Sequence, residues 1–240
     1  MTTTFSIDEV QQLRRCAAES CEVRVKGRQG WTKSAEDPMN LLAAFDCLRL
    51  REGMVLRAYQ FREGGNGNGI VWAMSEDLPF PEPQDCQRLE DRFLGPPRPT
   101  GALDDIMEAI EGDGSPWSYL SASLFAREAG DFGAMWHGIS WGTHTILGAD
   151  PWSEQVGREE LGLPERPRGT PEEWRWLEPK PTEWGPEVRV DESRVVVTFY
   201  TYSGLGTEAI YRHCDTYGEG EYRFGSERQV VAEGPGGFVF

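Results

Sequence analysis

The spacing of apolar positions marks out most of the elements of this chain. In SIDEVQQLRRCAAES, residues 6–20, Ile7, Val10, Leu13 and Ala17 recur near one helical face. Ser6, with Glu9 three positions on, forms a capping box, so this stretch predicts a helix. CEVRVKG, residues 21–27, alternates as a short strand does. Asp37-Pro38 supplies the cap and first turn of a helix through MNLLAAFDCL. GMVLRAYQFRE then alternates, with Val55, Arg57 and Tyr59 on one face and Met54, Leu56, Ala58 and Gln60 on the other. The run IVWAM returns after GGNGNG, which predicts a hairpin. The glycines at 64, 65, 67 and 69 match neither the dinucleotide nor the Walker phosphate pattern and are read as a turn.

Proline dominates residues 79–99 (PFPEP, then GPPRP), a connecting arm expected at the surface. TGALDDIMEAIEGD places Leu103, Ile106, Met107 and Ile110 at helical spacing, and Ser115-Pro116 starts a second helix through WSYLSASLFAREAG. Residues 151–186 are dense in Pro, Trp and Glu, and Thr170-Pro171-Glu172-Glu173 starts a helix that Pro179 holds to two turns. The last 50 or so residues read as a meander of RVVVTFYTY, EAIYRHCDTY, EYRFG and RQVVAE, divided by glycine turns. The expected fold is α+β: an antiparallel sheet, made of the central hairpin and C-terminal meander, packed with several helices in a single domain over 1–240.

Composition narrows what such a domain could do. Nine Trp, eleven Phe and seven Tyr argue against a disordered chain. With 24 basic against 40 acidic residues the net charge is −16, and the densest basic stretch, RVKGRQGWTK, reads as a solvated strand end. No nucleic-acid partner and no membrane are therefore expected. Five cysteines without a C-x-x-C pair give neither a disulfide framework nor a zinc ribbon. The N-terminus shows no signal-peptide pattern, and no apolar run reaches the ~20 residues of a membrane span. A cytoplasmic location is expected.

The stretch AMWHGISWGTHTIL holds the one motif with a familiar chemistry, Gly138-x-Ser140-x-Gly142. These five residues resemble the nucleophile elbow of α/β hydrolases, and the order Ser140, then Asp150, Asp191 or Glu192, then His213 is the one that family uses. The resemblance implies Ser140 as nucleophile and His213 as base. The flanks favour a different reading, because DFGAMWHG is polar and glycine-broken and THTILGADPW meets a proline within nine residues. If ISWG were a hairpin turn, His137 would lie beside His144 among Trp136 and Trp141, and His213 could complete a three-histidine metal set. Cys214 follows His213 directly, so on a strand the two point to opposite faces and form no dyad.

No cofactor is expected. The reading that best fits these features is an acidic binding or interaction protein. Its partner would be another protein, of basic character, or a small ligand held at Trp136, His137, Trp141, His144, Trp174 and Trp176. The alternatives are a serine hydrolase using Ser140 and His213, and a metal-binding protein using His137, His144 and His213.

Overall fold

A computed structural model of the chain describes residues 1–20, 29–153 and 167–239. The strand expected at 21–27 lies outside the described residues. The chain runs β1 (Thr2–Thr4), α1 (Ile7–Ser20), β2 (Gly30–Lys33), α2 (Pro38–Ala43), β3 (Leu48–Leu50), β4 (Met54–Glu63) and β5 (Asn66–Ser75). It continues through β6 (Gln87–Arg88), β7 (Pro97–Arg98), β8 (Ile110–Gly112), α3 (Pro116–Gly130) and β9 (His144–Leu147). The last strands are β10 (Arg175–Trp176), β11 (Glu187–Val190), β12 (Arg194–Ser203), β13 (Ala209–Gly218) and β14 (Phe224–Glu233). No helix among the described residues is long and apolar enough to cross a membrane.

Strand makes up 37% of the structure and helix 23%, with three α-helices among the described residues. This corrects the expected α+β arrangement packed with several helices: the protein is mainly antiparallel sheet. Two of the expected helices fail for identifiable reasons. After Thr100, the Asp105 side chain caps a single 3-10 turn, Ile106–Ala109, by accepting from the Met107 N–H. The chain then leaves helical angles at Ile110, which is 3% exposed and pairs with Leu50 across β3 and β8. Burying Ile110 in a ladder outweighs the weak helical preference of one local stretch. Likewise, Thr170 caps only the turn Pro171–Glu173 before Arg175 and Trp176 join β14 as an edge strand.

The chain divides into two compact units: Met1–Gln12 with Gly142–Gly220 and Phe224–Phe240, and Leu13–Trp141 with Glu221–Arg223. The second unit is built on the sheet β2-β4-β5. Gly64 and Gly65, at φ +55° and +92°, make the two-residue turn that pairs Glu63 with Asn66. The returning strand therefore begins inside the glycine cluster, earlier than the apolar run suggests. Helix α3 is capped by Ser115, whose side chain accepts from the Ser118 N–H, and buries Tyr119, Leu120, Leu124 and Phe125. The proline arm lies over the sheet, where its carbonyls take three aromatic donors. Tyr59 Oη donates to Pro81 O at 2.8 Å, Trp31 Nε1 to Leu94 O at 2.9 Å and Trp72 Nε1 to Pro97 O at 2.9 Å.

The first unit holds a seven-stranded antiparallel sheet, in the order β1-β11-β12-β13-β14-β10, with β9 also paired to β12. EYRFG and RQVVAE, expected as two short strands, contribute to one: β14 runs unbroken from Phe224 to Glu233. The Trp-rich segment packs on this sheet, with Trp174, Trp184, Leu147, Ile210 and Val231 in one buried cluster. Glu208 is fully buried and accepts from Tyr202 Oη (2.9 Å), the Gly236 N–H (2.9 Å) and the Arg168 N–H (3.3 Å). Its carboxylate thus ties the C-terminal segment and the Trp-rich segment to β12.

The arm in the second unit depends on its aromatic donors. Trp72→Phe keeps the ring in the core but strands the Pro97 carbonyl, and should lower unfolding free energy in urea by about 1–3 kcal/mol. Phe93→Ala, at a residue 79% exposed on the same arm, should change it by no more than about 0.5 kcal/mol.

Candidate functional site

The register of β12 and β13 decides which side chains meet in the first unit. Phe199 pairs with His213 and Thr201 with Tyr211, while Ser203 pairs with His144 across β9. Opposed residues share a face, so Phe199, Thr201, Ser203, Tyr211, His213, Asp215 and His144 lie on one side of the sheet. Val196, Thr198, Tyr200, Arg212 and Cys214 lie on the other. The expectation that His213 and Cys214 diverge is met by this alternation.

The first face carries an unusual layer of buried polar groups. Thr201 and Asp215 are fully buried, and Ser203, His213 and His144 nearly so. The Thr201 hydroxyl lies 2.8 Å from His144 Nδ1 and 2.9 Å from His213 Nε2. A hydroxyl has one proton and two lone pairs, so it donates to at most one imidazole and accepts an N–H from at least one. Phe199 stacks on His213 at 4.7 Å, and the two imidazoles stand 5.9 Å apart near edge-on. Thr143 Oγ1 and Ser203 Oγ extend the layer at 3.0 Å. Among the described residues, no three His, Cys, Asp or Glu side chains are gathered as a metal ion would require.

Of the three histidines, then, His144 and His213 meet through Thr201. His137 is exposed on a 3-10 turn, Trp136–Gly138, in the second unit. The hairpin expected across ISWG is corrected, because a second 3-10 turn, Trp141–Thr143, follows directly and His144 enters β9 opposite Ser203. Ser140 sits exposed between the two turns, and its N–H donates to Asp131 Oδ2 at 3.0 Å. GISWG thus has neither a strand before it nor a long helix after it.

The tryptophans separate into anchors and one exposed ring. Trp141 is 7% exposed, donates to Glu128 Oε1 at 2.8 Å and lies under the Arg14 guanidinium at 4.6 Å. Trp174 is buried and donates to Arg168 O, and half-buried Trp176 donates to Pro171 O. Trp136 alone among them is largely exposed, at 60%, with a left-handed φ of +50°.

The opposite sheet face holds a recess of about 340 Å³ that opens to solvent. Arg189 of β11, Val196, Thr198 and Tyr200 of β12, Arg212 and Cys214 of β13, and Glu227 and Gln229 of β14 line it. Arg212 is held in place by Glu178 Oε2 at 2.8 Å and by Gln229 Oε1 at 2.5 Å. Trp184 packs on Tyr200 at 5.6 Å, where the Trp-rich segment bounds this face. Burial pushes the Tyr200 phenol up from its ordinary pKa, against the pull of Arg212. Sequence reading passed over these residues because it weighed histidines and tryptophans. The signal was the second phase of RVVVTFYTY, where Val196, Thr198 and Tyr200 alternate with the buried set. No family model matches the chain, and no characterised protein or solved structure is significantly similar to it.

Removing the bridging hydroxyl tests the buried layer. Thr201→Val strips both imidazoles of their shared partner and should cost about 1–3 kcal/mol in urea unfolding, whereas Thr201→Ser, which keeps the hydroxyl, should cost less. The tyrosines set an alkaline limit. Burial and hydrogen bonding raise the pKa of Tyr59 and Tyr202, and burial that of Tyr200. Above the unfolded value of about 10 the unfolded chain releases protons that the folded one retains. Unfolding free energy should therefore be unaffected by these groups at neutral pH and fall as pH rises past about 10. A denaturant series between pH 8 and 11 reads it.

Proposed function

We propose that this chain is a binding protein whose ligand occupies the recess on the open face of the seven-stranded sheet. The observation that carries this reading is the lining itself. It combines a flat aromatic ring (Tyr200), two guanidinium groups (Arg189, Arg212), a carboxylate (Glu227) and neutral polar groups (Thr198, Gln229) around one open concavity. Pockets that hold small molecules pair apolar surface with a few placed polar groups in this way. Arg212 is already oriented by Glu178 and Gln229, so it loses little freedom when a ligand arrives. The ligand class is a small polar molecule with an anionic group facing the arginines and a donor facing Glu227.

A second reading rests on Trp136. A ring left 60% exposed on a backbone at φ +50° is conformationally costly for a residue other than glycine, and such strain often serves recognition. With a chain charge of −16, a basic protein partner would be drawn to it.

Titration with a defined set of small carboxylates and zwitterions, followed calorimetrically, separates the two. Thr198→Phe fills the recess and should weaken binding at least about tenfold, while Trp136→Ala should leave it unchanged. Equal affinity in Thr198→Phe, or no saturable binding by any member of the set, would contradict the recess reading.

A further inference from the structure

Strand β4 carries a second feature that the recess does not use. Gln60 and Arg62 lie two positions apart on one face of it, at 9% and 8% exposure. Arg62 runs across Gly67 of β5 toward the segment that follows α3, and its Nη1 donates to Phe61 O at 2.9 Å and Gly133 O at 2.8 Å. Its Nη2 is buried without an acceptor, and so is Gln60 Nε2. Gly133 packs against both side chains: its carbonyl takes Arg62 Nη1, and a Cβ at this position would lie 3.3 Å from Gln60 Nε2. At φ +72° and without a side chain, Gly133 covers the two donors closely.

A buried guanidinium normally has a carboxylate beside it, because an uncompensated charge away from water is strongly unfavourable. This chain has 40 acidic residues, yet none forms an ion pair with Arg62 among the described residues. Burial alone lowers the pKa of the guanidinium, with no neighbouring charge acting against it. A water accepting from both nitrogens would satisfy their N–H groups but bring no negative charge, so the guanidinium would still be uncompensated.

We propose that Arg62 Nη2 and Gln60 Nε2 bind a small anion, a halide ion or the carboxylate of a small molecule, beneath Gly133. Each nitrogen offers two N–H groups, so one chloride or the two oxygens of one carboxylate can accept from both. Both atoms are closed to water, so the anion enters with a local displacement of Phe132–Met135. That segment is held to the sheet by the paired bonds of Gly67 and Met135, at 3.0 and 3.2 Å. The single positive charge of Arg62 matches a monoanion better than a dianion such as phosphate.

The test is thermal unfolding of the full chain in sodium chloride, acetate or phosphate, with ionic strength held constant by sodium methanesulfonate. Chloride or acetate should raise the midpoint saturably, by about 5–11 °C at 100 mM for a site with a Kd of about 1 mM. A rise with chloride alone identifies a halide site, and a rise with acetate a carboxylate site. Gln60→Leu should reduce the rise and Arg62→Met should abolish it, while Thr198→Phe should retain it. Equal midpoints in all anions for the wild-type chain would overturn the proposal. An anion response that survives in Gln60→Leu at full size would overturn it too, as would one that disappears in Thr198→Phe, which would assign the ion to the recess.

Discussion

Ten consecutive residue pairs join Arg194–Ser203 to Ala209–Gly218, and the two-residue period of that ladder decides what each side of the first unit can do. Because Phe199 faces His213 and Thr201 faces Tyr211, the histidine turns into the buried layer while Arg212 and Cys214 turn to the open face. A slip of one residue in either strand would exchange the two sets, putting a guanidinium inside and an imidazole in the recess. Nearly everything proposed for the open face inherits its chemistry from this register. The buried His144–Thr201–His213 contact helps to fix it, since one hydroxyl satisfies two ring nitrogens only in this alignment.

A second constraint explains why nine tryptophans and sixteen prolines coexist in one chain. Proline lacks an N–H, and extended proline-rich segments leave carbonyls with no backbone donor to meet them. Indole and phenol groups supply the donors here. Trp31, Trp72 and Tyr59 hold residues 81–97 of the second unit, and Trp152, Trp174 and Trp176 bond to Gly169, Arg168 and Pro171 of the first. Each ring buries apolar surface and satisfies one carbonyl, so both arms pack with only short strands and 3-10 turns of their own. The tryptophans of 152–184 that composition offered as a recognition surface are mostly engaged in this way.

Where periodicity was strong, the elements were legible: α1, α3, the β4–β5 hairpin and the C-terminal strands follow from the spacing of Val10, Leu120, Leu56 or Val197 and their neighbours. Where it was short, distant pairing decided the outcome. Ile110 has helical spacing with Met107, yet its ladder to Leu50, sixty residues earlier, draws it into a strand. The same holds at the candidate sites. That His213 and Cys214 diverge follows from two adjacent positions on one strand, but the meeting of His144 with Thr201 depends on a pairing 57 residues apart. GISWG looked informative because its residue types are familiar, while Thr198 and Gln229, which line the recess, carry no motif at all.

The central claim is that ligand binding belongs to the face carrying Thr198, Tyr200, Arg212 and Cys214, and not to the histidine face or to the exposed turn at Trp136. Backbone amide chemical-shift mapping during titration with a bound small carboxylate tests it most directly. The account expects the largest changes at residues 196–200, 212–214 and 227–229. Changes centred instead on Trp136 and His137, or on His144 and Ser203, would contradict it.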